Sequence, residues 1–360
     1  MKKQILFLIL LAAAVLLGPG KSYAQSGTEV DYLDNSPNFC PTATTLTCTG
    51  LNALSPAPGV AYDYTVTVSS SSTIHWFVTT DPNVMTGEGK VTTAIEPATG
   101  GNYVLAANAA YNDPSQNSAT VNITWKSFDG TANQVLLVAY AVDADGCTDN
   151  LEVYRIIPEY NFTLDIAGIL DDGNSGATEC VAPVQGATYN GTDLEVDYGV
   201  NYVFFAVNAA NWQTSWQTNL VATTDGTSDL GAPEWAYPAD ATTTGVWNAN
   251  GTEVLATSYA SNNNGFIGSG GECIIVRVPV THTSTENITS ETINLVVNGE
   301  MINASTGAYD GVYPDLEEVN ESGAACASDM VTDNANYVIT PRPDINESSP
   351  SPFENKTPRD

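Results

Sequence analysis

A group of aromatic side chains is the feature of this sequence best suited to binding a ligand. Four of the six tryptophans lie between positions 212 and 247. Rings spaced along an extended strand can stack on sugars, and Trp212 and Trp216 would share one face because strand side chains alternate. Large aromatic residues are equally typical of a core. The sequence therefore predicts either a carbohydrate-binding surface or a core at Trp212, Trp216, Trp235, Tyr237 and Trp247.

A loop rich in aspartate is the strongest candidate for a metal site. Asp143, Asp145 and Asp149 alternate with small residues around Gly146. Calcium takes roughly six to eight oxygen ligands, and closely spaced carboxylates can supply several of them. Asp and Gly are also the residues that a tight turn between strands prefers. We consider calcium at this loop as the alternative to a plain turn, and the sequence indicates no other cofactor.

The chain contains six cysteines, an even number that favours disulfides in an exported protein. Six cysteines allow many pairings, and the sequence does not choose among them. The short spacing of Cys40 and Cys48 suits a small closed loop, and a Cys147–Cys180 bond would join the two halves of the chain. The candidates are Cys40, Cys48, Cys147, Cys180, Cys273 and Cys326.

The amino-terminal residues have the pattern of a secretory signal peptide. Lys2 and Lys3 precede an apolar run from Ile5 to Leu17, and small residues lead to a cleavage site after Ala24. That run is too short for a membrane span. We therefore expect residues 1–24 to be removed, and the mature protein to be secreted or held at the cell surface.

The charge balance narrows the classes of partner. The chain has 41 acidic residues against 10 basic ones, a formal net charge of −31. Such a surface repels nucleic-acid phosphates and anionic lipid. No later segment approaches the roughly 18 consecutive apolar residues of a membrane helix. We expect neither nucleic-acid binding nor membrane insertion, and partners among envelope or extracellular proteins, with glycans as an alternative.

Short strands separated by turn residues must position these groups. Residues 62–68 and 151–157 alternate with period two, and the apolar run 134–142 is typical of a central strand. Helix signals are scarce. The sequence thus predicts an all-β protein of two tandem antiparallel Ig-like sandwiches, with a linker near Asp171–Gly176. The expected organisation is a signal peptide at 1–24, sandwiches at 25–166 and 167–342, and a disordered tail at 343–360.

Part of the first half resembles a known family. Residues 61–64 leading to 74–78 are similar to the opening strands of immunoglobulin-like repeats. Residues 125–130, the strand 135–142 and the turn 143–148 resemble the end of a PKD-like domain, a type common in exported Bacteroidota proteins linked to gliding, type IX secretion or adhesion. The resemblance covers roughly residues 58–166. It implies a β-sandwich used as a spacer, adhesin or assembly module, and no catalytic residues.

These observations favour a non-enzymatic structural or adhesion module that binds partners through exposed loops or strand edges. The first alternative is a carbohydrate-binding protein that uses the segment from Trp212 to Trp247. The second is a hydrolase whose site forms only in the folded chain from residues far apart in sequence. The exposure of Trp212 and Trp216 distinguishes the first alternative from the main hypothesis.

Overall fold

The computed structural model describes residues 39–44, 53–68, 72–87, 89–115, 118–126, 128, 134–143, 150–158, 161–192, 194–242, 245–263, 265–282, 289–303, 306–319, 325–328 and 333–341. The predicted signal peptide and carboxyl-terminal tail lie outside them. Within these ranges the regular structure is β-strand, apart from a 3-10 turn at Ala256–Ser258. None of these residues forms a helix long and apolar enough to cross a membrane. The prediction of an all-β protein is confirmed.

The first sandwich places two three-stranded sheets face to face. One sheet has the order β1-β6-β5, the other has β2-β7-β8, and the hairpin β3-β4 lies beside them. Each pair of neighbouring strands is antiparallel. The strands are β1 (Ala61–Thr65), β2 (Thr73–Thr79), β3 (Met85–Gly87), β4 (Lys90–Val91), β5 (Val104–Ala107), β6 (Thr120–Trp125), β7 (Val135–Val142) and β8 (Asn150–Ile156).

Alternation of side chains builds the core of this sandwich. Every second residue of β6 is buried, and Trp125 at its end meets Tyr64 of β1. The Trp125 indole donates a hydrogen bond of 2.8 Å to the Tyr64 hydroxyl, which itself donates to the carbonyl of Ala53. The buried indole is thereby satisfied, as a polar group in an apolar core must be.

The second sandwich is larger and contains the rest of the described strands. A five-stranded sheet has the order β10-β25-β22-β15-β19, and a six-stranded sheet has β18-β17-β21-β13-β9 with β16 also paired to β21. Only β10 and β25 run parallel among the paired strands described. Strands β9 to β17 are β9 (Thr163–Ile169), β10 (Thr178–Cys180), β11 (Gly186–Tyr189), β12 (Leu194–Asp197), β13 (Val200–Ala210), β14 (Trp212–Gln213), β15 (Ser215–Thr224), β16 (Asp229–Leu230) and β17 (Glu234–Ala236). Strands β18 to β25 are β18 (Asn248–Ala249), β19 (Glu253–Leu255), β20 (Phe266–Ile267), β21 (Glu272–Thr281), β22 (Glu291–Met301), β23 (Leu316–Val319), β24 (Ala325–Ser328) and β25 (Asn334–Thr340).

The division between the two sandwiches differs from the prediction. Strand β9 pairs with β13 along seven residues, so the predicted boundary after Ile166 falls inside a strand of the second sandwich. The predicted linker at Asp171–Gly176 is instead a tight turn after β9, in which Gly173 has a φ of 80° and donates to the Leu170 carbonyl. Local composition marks both turns and linkers, and only the strand pairing separates them.

Residues 39–44 pack on the second sandwich, although they precede the first in sequence. Cys40 forms a disulfide with Cys273 of β21. Phe39 joins the apolar cluster on the outer face of the six-stranded sheet. Both the amide and the hydroxyl of Thr44 donate to the Asp165 carboxylate, at 2.7 and 2.6 Å. The small Cys40–Cys48 loop considered from the sequence is therefore wrong, because the partner of Cys40 is 233 residues away.

Candidate functional site

The predicted aromatic surface is largely core. Trp212 and Trp216 are fully buried between the two sheets of the second sandwich. Their rings meet edge to face with centroids 6.4 Å apart. The segment that carries them is not continuously extended, because Asn211 and Thr214 have positive φ values of 57° and 61°. These two reversals isolate β14 and turn both indoles inward, so the exposed face expected from strand alternation does not form.

The other aromatic candidates also make internal contacts. Trp235 is buried, and its ring lies edge to face with Tyr237 at 5.2 Å. The hydroxyl of Tyr237, a half-buried residue, accepts a hydrogen bond of 2.9 Å from the Leu255 amide. Trp247 is half-buried on the outer face of the six-stranded sheet. Trp247 is therefore the candidate tryptophan with the most exposure.

A stacked arginine occupies the face of that tryptophan. The Arg277 guanidinium lies 4.2 Å from the Trp247 ring centroid and 4.6 Å from that of Tyr202. Its Nε and Nη2 donate to Glu234 Oε2 at 2.8 and 2.7 Å. Cation–π contacts of this kind stabilise a partly desolvated arginine. The arginine covers one face of the Trp247 ring, and a sugar would have to displace it to stack there.

Three side chains with the chemistry of a hydrolytic triad meet at one end of the second sandwich. Ser228 precedes β16, His282 follows β21, and Glu291 begins β22. The Ser228 hydroxyl lies 2.7 Å from His282 Nδ1 and donates to Glu291 Oε1. The same Nδ1 is 3.3 Å from that Glu291 oxygen. All three residues are more than nine-tenths buried.

The geometry of this cluster is that of a structural network. In a working triad the imidazole separates the serine from the carboxylate and uses a different nitrogen for each. Here one nitrogen of His282 faces both groups, and the serine proton is directed at Glu291. Burial lowers the pKa of His282, while the Glu291 charge opposes that shift. The cluster thus joins the ends of three strands and leaves the serine poorly placed for nucleophilic attack.

His282 was not predicted from the sequence to form a site with these partners. Ser228 and Glu291 lie 54 and 9 residues from it, with no motif connecting the three. The rarity of histidine, with two in the chain, was the available signal.

The remaining metal and cysteine predictions fall mainly outside the described residues. Asp143 follows the last residue of β7, whereas Asp145 and Asp149 lie beyond the described ranges, so calcium at this loop stays a prediction. Among the described residues, no group of three His, Cys, Asp or Glu side chains is arranged to hold a metal. Cys48, Cys147 and the side chain of Cys326 also lie outside the description. Cys180 is exposed as a thiol, and its Sγ lies 3.6 Å from the Thr340 hydroxyl.

The hairpin β11–β12 presents apolar side chains to solvent. Tyr189 pairs with Leu194, and Ala187 pairs with Val196. Paired residues and those two apart share a face of a hairpin, so all four point the same way. Val196 at the base is buried in the core, but Tyr189 at the tip is 66% exposed and Leu194 is 37% exposed. The apolar face of the hairpin therefore extends beyond the core that it covers.

Comparisons with known proteins add little to this geometry. Neither the protein-family models nor the curated proteins give a match. One similar solved structure is the C-terminal domain of the Streptococcus pyogenes antigen I/II-family protein AspA, at 12% identity and a TM-score of 0.15 over 71% of this chain and 94% of that one. Another is the collagen binding domain of the Erysipelothrix rhusiopathiae surface protein RspB, at 7% identity and a TM-score of 0.14 over 82% and 87%. TM-scores this low do not indicate a shared fold, so neither domain's function is carried to this chain.

Proposed function

We propose that this protein is a secreted or surface-held, non-enzymatic adhesion or assembly module that docks a protein partner through the hairpin β11–β12. The proposal rests on the exposed apolar side chains of Tyr189 and Leu194, which extend beyond the core that the hairpin covers. Exposed apolar side chains next to an unpaired strand edge are typical of protein-binding surfaces. In the described part of the chain, β11 and β12 pair only with each other, so each leaves one edge open.

The charge on the hairpin indicates the kind of partner. Glu195 and Asp197 are exposed on the face opposite Tyr189. Asn190 holds the turn by donating to Glu195 at 3.0 Å and by accepting from the Thr192 amide at 2.9 Å. A partner with apolar side chains and nearby lysine or arginine would match both faces. The hairpin is preorganised by its own hydrogen bonds, which lowers the entropy lost on binding.

Retention of the labelled mature protein on intact cells of the source organism tests the proposal. We expect saturable binding that falls at least about tenfold in a Tyr189→Ser/Leu194→Ser variant, since two exposed anchors are lost. A Val153→Ser/Val312→Ser variant is the matched control, because it removes two similarly exposed apolar side chains elsewhere. Equal retention of both variants and the native protein would overturn the role of the hairpin.

A carbohydrate-binding role for the segment from Trp212 to Trp247 is not part of this proposal. Trp212, Trp216 and Trp235 lie inside the core, and the exposed side of Trp247 is shared with Arg277.

A further inference from the structure

Two exposed turns of the second sandwich contain the same tripeptide, Asn-Gly-Thr. Residues 190–192 lie at the tip of the hairpin β11–β12, and residues 250–252 connect β18 to β19. Asparagine is a chemically labile residue, most of all before glycine, because glycine has no Cβ to shield its nitrogen from the preceding side chain. Since the two turns share one local sequence, a difference in their reactivity must come from the contacts that the fold gives each of them.

The turn at residues 250–252 is bonded to a neighbouring strand. Asn250 Oδ1 accepts from the Leu220 amide at 2.9 Å, and Asn250 Nδ2 donates to the Leu220 carbonyl at 2.9 Å. The Gly251 amide, the group that would have to attack Asn250, donates to Thr218 Oγ1 at 3.1 Å. Leu220 and Thr218 belong to β15 of the five-stranded sheet. Attack on Asn250 therefore requires its bonds to that strand to break first.

The Asn190 side chain instead folds back over its own turn. Its Oδ1 accepts from the Thr192 amide, two residues further on, at 2.9 Å. A side-chain carbonyl bonded in this way lies over the peptide that follows it, which here is that of Gly191. Among the described residues no acceptor binds the Gly191 amide. The bond from Asn190 Nδ2 to Glu195, at 3.0 Å, is exposed, so water can replace it at little cost.

We infer that Asn190 is a site of spontaneous deamidation in the folded protein. The Gly191 nitrogen forms a bond to Asn190 Cγ and loses its proton, the Cγ–Nδ2 bond breaks, and ammonia leaves with that proton. Water then opens the resulting succinimide at one of its two carbonyls and yields aspartate or isoaspartate. The Thr192 amide assists the first step, because it donates to the oxygen on which negative charge develops.

The reaction changes the tip of the hairpin. Asn190 supplies a donor to the Glu195 carboxylate, and aspartate would place a second carboxylate there, which repels the first. Isoaspartate also lengthens the main chain by one carbon, because the chain then runs through the side chain. Both products loosen the turn between β11 and β12. A less preorganised hairpin should dock more weakly; this consequence rests on the proposed function, whereas the deamidation itself does not.

Incubation of the mature protein in mildly alkaline buffer, followed by digestion and mass spectrometry, tests the inference. We expect the mass change from amide to acid at Asn190 to be at least about tenfold faster than at Asn250, where three hydrogen bonds must break. The rate should fall in mildly acidic buffer, because the attacking nitrogen must lose its proton. Asn190→Gln is the control for the assignment: glutamine would close a larger ring more slowly, so the hairpin peptide should keep its mass.

Hydrogen exchange on the same samples measures the effect on the hairpin. Amides of β11 and β12 should exchange about fivefold faster in the converted protein, the factor expected for one lost hydrogen bond, and Asn190→Asp should show this increase without incubation. Equal deamidation rates at Asn190 and Asn250, or unchanged exchange in the converted hairpin, would overturn the inference. Retention of freshly prepared protein on cells measures docking alone, so failure of the proposed function would leave both of these results unchanged.

Discussion

The Cys40→Ser substitution removes the disulfide that ties residues 39–44 to β21. The bond closes a loop with a sequence separation of 233, and the chain-entropy relation gives about 5.5 kcal/mol for a loop of that length. The first sandwich folds inside this loop and shortens its flexible part by roughly half. Because the loop entropy depends on the logarithm of loop length, the expected stabilisation is still about 5 kcal/mol. Losses on removing native disulfides are commonly about 2–5 kcal/mol, so we expect the second sandwich to lose that much free energy of unfolding.

Urea unfolding followed by hydrogen exchange and mass spectrometry measures this loss in each sandwich. Amides of β21 report on the second sandwich and those of β7 on the first. We expect the protection of β21 to fall at lower urea in Cys40→Ser, while β7 is unchanged. Cys180→Ser, which alters an exposed thiol outside this disulfide, is the control. If Cys40→Ser and Cys180→Ser lose β21 protection at the same urea concentration, the stabilising role of the disulfide is refuted.

Two further substitutions test the second sandwich, with circular dichroism melting as the measurement. Because burial lowers the pKa of His282 below its unfolded value of about 6.5, the stability this residue contributes is complete above that pH and is lost as the pH falls toward the folded-state pKa. His282→Gln should reduce this loss of stability at acid pH, whereas His75→Gln should not. The same pH dependence of the melting temperature in both variants would contradict this role of His282. Gly299→Ala would place a Cβ 2.9 Å from the Trp216 ring and should destabilise by about 1–3 kcal/mol, whereas Gly270→Ala meets nothing within 4 Å and should be neutral. Equal melting temperatures for Gly299→Ala and Gly270→Ala would contradict the expected clash with Trp216.

Local sequence patterns were sufficient to predict strands but not their partners. The apolar run 134–142 predicted a central strand, and β7 lies between β2 and β8 as expected. The alternating run 151–157 corresponds to β8, an outer strand of the same sheet. Strand β9 begins at Thr163, before the predicted domain boundary after Ile166, and pairs with β13 of the second sandwich. Pairing between distant strands is a property of the whole fold, and alternation within a strand carries no record of it.

The candidate sites depended on contacts that the sequence does not encode locally. Two positive φ values turned Trp212 and Trp216 into the core, and neither Asn211 nor Thr214 is a glycine that would have marked the reversal. Strand β15 was missed because outward residues such as Asn219 lower its β-propensity. Its inward positions do alternate correctly, with Leu220 buried between exposed neighbours.

The groups best suited to chemistry in this molecule are engaged in internal contacts. The indoles of Trp212 and Trp216 pack against each other, Ser228 donates to Glu291, and Arg277 stacks on Trp247 while bonded to Glu234. Using any of them on a ligand would first require breaking contacts that stabilise the second sandwich. Binding through a preformed strand edge requires no such rearrangement. This difference is the physical reason to place recognition on the hairpin β11–β12, and it explains why substitutions there should alter binding while leaving the fold intact.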